Sequence, residues 1–366
     1  MKLLEDYDEG MVHEEDFDRI LEKEGLVRSD EEVKQMVSKF GIRTDELPDP
    51  IRKALLSRQD YLVHYQLIEA REPEHGCEIY ELGLDDRLID VLRRSGIFRL
   101  YSFQAEAVKR VLSGEDVVIV APTGSGKTEA FALPIIQRVA EEEKEGVRAL
   151  FIYPTKALGR DQLPKLRLMA EALDLDVKVF DGDTPPAERR KILDRPPDFV
   201  VTNFDTIHHH LMHRTGFSRL LRSVKHIVVD EVHVYKGTFG SNVHFIVKRL
   251  ERLAGNFQVV AASATISNPK EFCEALFGRH FTVVLGGDGR HGRIHFAMLF
   301  PTLRSHRSLV VDLLKSLVAQ EYRPIVFSDS HLGAELTAFY ARKEGVNVEV
   351  HRAGLLPSHR KRVEEM

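Results

Sequence analysis

Eight consecutive residues, Ala121-Pro122-Thr123-Gly124-Ser125-Gly126-Lys127-Thr128, have the makeup of a loop that holds phosphate. Glycines at 124 and 126 let the backbone curl until its N–H groups face anionic oxygens. A helix starting at that point adds the partial positive charge of its N-terminus. Lys127 then reaches the β- and γ-phosphates of a nucleotide, and the Thr128 hydroxyl sits on Mg²⁺. Ala121 stands where the strict GxxxxGK[ST] spacing has its first glycine. Further on, Asp230-Glu231-Val232-His233 supplies acid and base. Asp230 is suited to Mg²⁺, acting through water, and Glu231 to orienting and deprotonating an attacking water. His233 joins Lys127, Asp230 and Glu231 as the fourth catalytic candidate. A glycine-rich turn or a helix cap accounts for either string alone; the two in this order point to ATP and Mg²⁺.

Such residues must sit at the ends of strands. Apolar runs rich in Val and Ile fall at 117–120, 149–153, 177–180, 199–202, 226–229 and 259–262. Helical patterns separate most of them, among them 129–141 and 163–173, after two amphipathic helices at 84–94 and 103–112. Short, fully apolar strands alternating with helices predict an α/β fold: a doubly wound parallel sheet covered on both faces. The phosphate loop follows the run 117–120 and Asp230 follows 226–229, which puts both at the carboxyl edge of that sheet.

The flanks read differently. Residues 1–50 carry 7 Lys and Arg against 16 Asp and Glu, leaving 45 against 41 in the rest of a chain whose net charge is −5. A mildly basic body suits a polyanion partner. The leader reads as helical, with apolar residues at Val12, Phe17, Ile20 and Leu21 and at Val33, Met36, Val37 and Phe40, and a further helix is expected over 51–67. After glycines at 286, 287, 289 and 292 a second unit begins, with helices at 309–320 and 334–343 and strands at 324–327 and 346–351. The expected division is an acidic, mainly helical appendage over 1–80, the ATP-binding domain over 81–290 and a partial second α/β domain over 291–366. No run approaches about 18 apolar residues, so no membrane helix is expected. Two cysteines without CxxC spacing predict neither a disulfide framework nor a zinc site, and fit an intracellular, cytoplasmic chain.

The ordered set of strings resembles the superfamily 2 DExH helicases over residues 84–366. Besides the phosphate loop and DEVH, Tyr101-Ser102-Phe103-Gln104 looks like the adenine-reading Q motif, and Tyr153-Pro154-Thr155-Lys156-Ala157-Leu158 like motif Ia. Asp181-Gly182-Asp183-Thr184 and Thr202-Asn203 look like strand-contacting motifs, Ser263-Ala264-Thr265 like motif III, and Ile325-Val326-Phe327-Ser328 like motif IV. The strings at 230–243, 263–269 and 351–360 are similar to those of MrfA-like and RecQ-four-like DNA repair helicases, with Lhr-type helicases next. The resemblance implies a RecA-like domain and part of a second. It implies that Gln104 pairs with adenine, and that Thr123, Gly124, Ser125, Gly126, Lys127 and Thr128 hold the nucleotide. It implies that Pro154, Thr155, Lys156, Gly182, Thr184, Thr202, Asn203, Ser328 and Arg352 face nucleic acid, and that Ser263 and Thr265 couple nucleotide state to the second domain. DNA is the expected partner, with RNA an alternative, a 3′-to-5′ direction and a role in DNA repair implied. A monomer is expected, with a protein partner for the appendage. Motifs V and VI of the family are not found up to Met366, so weak activity of this chain alone is expected. A duplex translocase without unwinding, or a nucleotide-gated binding module, is the alternative reading. Phe204 stands where the group has Pro.

Two further clusters carry less. His208, His209, His210 and His213 lack the Glu of the H-E-x-x-H zinc signature and any third ligand type nearby. Arg189, Arg190 and Lys191, with Arg195, read as a solvated helix face, with a specific phosphate clamp as the alternative.

Overall fold

Seven apolar runs lie side by side as one parallel sheet in a computed structural model of the chain, which describes residues 27–57, 59–72, 74–142, 146–264, 266–287, 292–352, 354, 355, 359, 362 and 363. The helix expected over Val12, Phe17, Ile20 and Leu21 lies outside the described residues. Two compact units emerge: Ala70–Gly292, and the residues up to Glu69 together with those from Arg293 onward.

In the unit Ala70–Gly292, a small ladder of β2 (His75–Glu78) and β3 (Arg99–Tyr101) accompanies helices α3 (Asp86–Arg94) and α4 (Ser102–Leu112). The main sheet then builds through β4 (Val117–Val120), α5 (Lys127–Glu141), β5 (Ala149–Ile152), α6 (Lys156–Glu171), β6 (Val177–Val179), α7 (Pro186–Asp194) and β7 (Phe199–Thr202). It continues through α8 (Phe204–Met212), α9 (Gly216–Leu220), β8 (His226–Val229), α10 (Gly237–Ala254), β9 (Gln258–Ser263), α11 (Pro269–Phe277) and β10 (Thr282–Leu285). Strand order is β10-β4-β9-β8-β5-β7-β6, every pair parallel. This is the α/β arrangement the alternation of apolar runs predicts.

The central strands are buried on both sides, so their residues feed two cores in turn. Val117, Ile119, Phe151, Val201 and Val228 join one core; Val118, Ile152, Val200, Ile227 and Val229 join the other. Phe131 of α5 packs on Phe151, which packs on Phe199, with ring centroids 6.3 and 5.8 Å apart. On the opposite face Phe180 and Phe217 stack at 3.9 Å. Each buried ring contributes roughly 2–3 kcal/mol.

The other unit begins with α1 (Asp30–Ser38), capped by a Ser29–Glu32 capping box, and α2 (Asp49–Leu56). The helix expected over 51–67 is corrected: α2 ends at Leu56, and Asp60–Ile68 is strand β1, antiparallel to β11 (Ile294–Pro301). A register shift between Leu62 and His64 makes the inward residues Leu62 and Tyr65 fall three apart, which mimics helical spacing. Their partners inside are Val33, Val37 and Leu55. Asp60, fully buried, pairs with Arg304, which also holds Asp312.

Helices α12 (His306–Ala319) and α13 (His331–Lys343) follow and pack through Val311, Leu314 and Ala341. The strands expected at 324–327 and 346–351 do not form ladders among the described residues, and Phe327 is 93% exposed. Strand structure needs a neighbour's hydrogen bonds, and an apolar run alone does not provide one. The appendage and the C-terminal segment, expected to stand apart, thus share one unit. Among the described residues no helix is long and apolar enough to cross a membrane.

Candidate nucleotide site and strand-contacting edge

Between β4 and α5 the chain makes the turn its glycines permit. Gly124 has φ +77° and Gly126 φ +86°, both in the left-handed region. A Cβ on Gly126 would lie 2.4 Å from Gln104 Nε2, so a side chain there would push that amide aside as well as strain the left-handed backbone. Lys127 opens α5 and is buried, its Nζ donating to the carbonyls of Ala121 at 2.8 Å and Pro122 at 3.2 Å. The loop's own oxygens therefore hold the ammonium where nucleotide phosphates would compete for it. The Ser125 hydroxyl donates to Pro122 O at 2.7 Å and tightens the same turn, while Thr123 is exposed at its tip.

Gln104 is buried beneath the loop. Its Nε2 donates to Gly126 O at 2.8 Å and its Oε1 accepts from Tyr101 N–H at 2.9 Å. The amide thus ties the start of α4 to the phosphate loop, with one proton and one lone pair left over.

Asp230 follows β8, its N–H donating to Ile152 O at 3.0 Å. Burial pushes its carboxyl up to about 6, with the Glu231 carboxylate adding to the rise and the Glu231 N–H and the Lys127 ammonium opposing it. Glu231 takes a left-handed conformation, φ 49°, uncommon for a residue with a Cβ. In it the Glu231 N–H donates to Asp230 Oδ1 at 2.8 Å, and Glu231 Oε2 lies 3.3 Å from His233 Nδ1. His233 Nδ1 is also 3.1 Å from Oγ of Ser263, which is fully buried at the end of β9. Of the coupling pair Ser263 and Thr265, only Ser263 is among the described residues.

The strand-contacting candidates of this unit line the same carboxyl edge. Tyr153 N–H donates to Thr202 O at 3.0 Å. Pro154 is half-buried, and Thr155 and Lys156 are exposed at the start of α6, where the Thr155 hydroxyl caps Leu158 N–H. Lys156 Nζ pairs with Asp183 at 2.7 Å beside Gly182. Thr184 is buried and braces the loop, its Oγ1 accepting from Asp181 N–H at 2.9 Å. Asn203 caps α8 through Thr206 N–H at 2.8 Å. Thr202 is buried, and among the described residues its hydroxyl has no partner; the same is true of the Tyr153 and Tyr235 hydroxyls. Burial, with the Asp230 charge adding to it, pushes both tyrosines up. Ser328 and Arg352 belong to the other unit, where Arg352 pairs with Glu335 at 2.8 Å.

Several working residues carry no local signal in the chain. Arg189, read as part of a solvated face, instead clamps the loop at 181–184. It donates to Thr184 O at 2.9 Å, Asp181 O at 2.9 Å and Gly182 O at 3.1 Å, and lies over the Phe180 ring. Gln162 accepts from the Thr128 hydroxyl at 2.9 Å. Phe204, in place of Pro, packs edge-on against Tyr235 with centroids 5.1 Å apart. His210 bonds Thr215 at 2.6 Å and is held near 4 by burial and by its cationic neighbours, and no metal cluster exists among the described residues.

The DEAD/DEAH box helicase family matches residues 101–272. An uncharacterized ATP-dependent helicase of Bacillus subtilis, YprA, is 34% identical over 331 residues, covering 84% of this chain and 43% of the relative. A crystal structure of the helicase MrfA bound to DNA superimposes with a TM-score of 0.75 at 35% identity, over 83% of this chain and 45% of that one. The Lhr helicase of Mycobacterium smegmatis, bound to single-stranded DNA and AMP-PNP, gives 0.62 at 25% identity, over 78% and 40%. The chain spans less than half the length of each. With its phosphate loop, DEVH string and parallel sheet in the expected places, the chain carries a DEAD/DEAH box helicase domain and belongs to the superfamily 2 helicases of the MrfA and Lhr type.

Proposed function

We propose that this chain is the ATP-binding part of a DNA motor that moves 3′-to-5′ along one strand in DNA repair. The observation that carries the nucleotide half is the placing of Lys127 and Asp230: a buried ammonium on a phosphate loop within electrostatic reach of a buried carboxylate. A carboxyl raised to about 6 by burial lacks a full counter-charge, and that fits a divalent cation held by Asp230 and the Thr128 hydroxyl. Bound there, Mg²⁺ would offset the charge of the β- and γ-phosphates. Lys127 exchanges its carbonyl partners for phosphate oxygens. Glu231 takes the proton of an attacking water, and His233 holds Glu231 on one side and Ser263 on the other. Gln104 sets the loop and offers its remaining donor and acceptor to adenine. Thr155, Lys156 and Gly182 present donors and open backbone to a phosphate chain, which positions a strand without reading its sequence. DNA is favoured because the MrfA and Lhr structures hold it. An intracellular setting goes with that reading.

The test is ATP hydrolysis with and without oligo(dT), with Glu231→Gln as control. Stimulation by the oligonucleotide that the control abolishes supports a DNA-driven motor. Nucleotide binding without any response to oligonucleotide overturns the DNA half and leaves a nucleotide-binding module.

A further inference from the structure

We propose that Gln162 is a positioning residue for the Mg²⁺-binding hydroxyl of Thr128, held on the helix whose first turn faces nucleic acid. The inference rests on the reading of Thr128 as a metal ligand given above.

The Thr128 hydroxyl has one proton and two lone pairs. It donates the proton to Gln162 Oε1 at 2.9 Å, which turns its lone pairs away from α6 and leaves them for a cation. Gln162 is itself fixed: its Nε2 lies 3.2 Å from Asp161 Oδ2, so the amide oxygen and not the nitrogen faces Thr128. A flipped amide would donate to the hydroxyl and compete with the metal for a lone pair. One turn along α6, Lys165 Nζ meets Glu129 Oε1 at 2.6 Å. Glu129 is 8% exposed, and its second oxygen has no partner among the described residues. Successive residues of the first turn of α5 are thus pinned by residues three apart on one face of α6.

That same helix begins at Lys156, six residues before Gln162 and about 9 Å away along the axis. A rigid shift of α6 driven by a strand at Thr155 and Lys156 moves Gln162 with it, and with Gln162 the direction of the Thr128 lone pairs. Lys165 fixes the spacing of the two helices while Gln162 sets the hydroxyl. The division of labour gives each residue its own signature.

The experiment is a Mg²⁺ titration of fluorescent, non-hydrolysable ATP analogue binding to the chain, with binding in EDTA as the check that each variant is folded. Gln162→Leu removes the acceptor, and Gln162→Glu keeps an oxygen in its place. We expect the Leu variant to need about tenfold more Mg²⁺ for half-saturation, the scale on which outer partners of metal ligands act. The Glu variant should stay within about twofold of the parent, and both should bind analogue normally in EDTA. Equal losses in Leu and Glu variants overturn the proposal, because the oxygen would not matter. So does a Leu variant that titrates like the parent while Thr128→Ala needs more Mg²⁺. If Thr128→Ala itself leaves the Mg²⁺ requirement unchanged, the metal reading of Thr128 fails first, and this inference falls with it.

Discussion

His233 Nδ1 lies 3.1 Å from Ser263 Oγ, so the last residue of the DEVH string touches the last residue of β9. The same ring nitrogen is 3.3 Å from Glu231, which puts His233 in contact with both the proposed base and Ser263 of the SAT string. Ser263→Ala cuts one of these ties. One hydrogen bond is worth about 1 kcal/mol. Steady-state kinetics should then show oligonucleotide-stimulated turnover down about fivefold, with the KM for ATP within about twofold of the parent. A fall in nucleotide affinity with turnover intact would contradict this.

Asp230→Asn should stabilise the chain while ending hydrolysis. The Asp230 carboxyl holds its proton more tightly in the folded chain, at about 6, than at its ordinary 3.8. Its stabilising contribution is therefore complete below the ordinary value and is lost as pH rises through about 6. Above that pH the folded state carries a charge it disfavours, by up to about 3 kcal/mol. Without Mg²⁺ at pH 8, thermal melting of the Asn variant should come several degrees above the parent. Near pH 4 the two should coincide.

Asp183→Asn should tighten nucleic-acid binding. Lys156 is paired with Asp183 at 2.7 Å, and both are partly exposed. A phosphate must displace that carboxylate before it gains the ammonium. Fluorescence anisotropy with labelled oligo(dT) should show severalfold higher affinity and a steeper salt dependence, by about one counterion. Unchanged binding would mean that Lys156 does not meet the phosphates.

Arg304→Met should unfold its own unit first. It leaves Asp60, fully buried, with its carboxylate facing no cation. Removing one partner of a buried pair costs about 3–5 kcal/mol. Denaturant unfolding should show an early loss reporting on the β1–β11 unit while nucleotide binding by the other unit persists.

What the residue order reveals follows from distance along the chain. The phosphate loop and DEVH are contiguous, so their chemistry reads directly from neighbours such as Gly126 and Lys127. Six of the seven strands read correctly because a strand buried on both faces is a plain apolar run. The seventh, Thr282–Leu285, is not among the expected strands, since it is short and runs straight into glycines. Arg189, Gln162 and the Asp60–Arg304 pair were invisible, because each acts on a residue brought near only by the fold. β1 carries a helical signal for a sharper reason: its bulge between Leu62 and His64 gives a strand the burial rhythm of a helix.

The β1–β11 ladder joins Asp60–Ile68 to Ile294–Pro301, with the whole of Ala70–Gly292 between them in the chain. In covalent terms the nucleotide-binding unit is an insertion within the other unit. During synthesis the first strand must wait, unpaired, until its partner has left the ribosome, while the parallel sheet between them has all its strands in hand and can close first. Birth order and pairing order therefore differ: β1 is made before the parallel sheet, yet its partner strand is made only after every strand of that sheet.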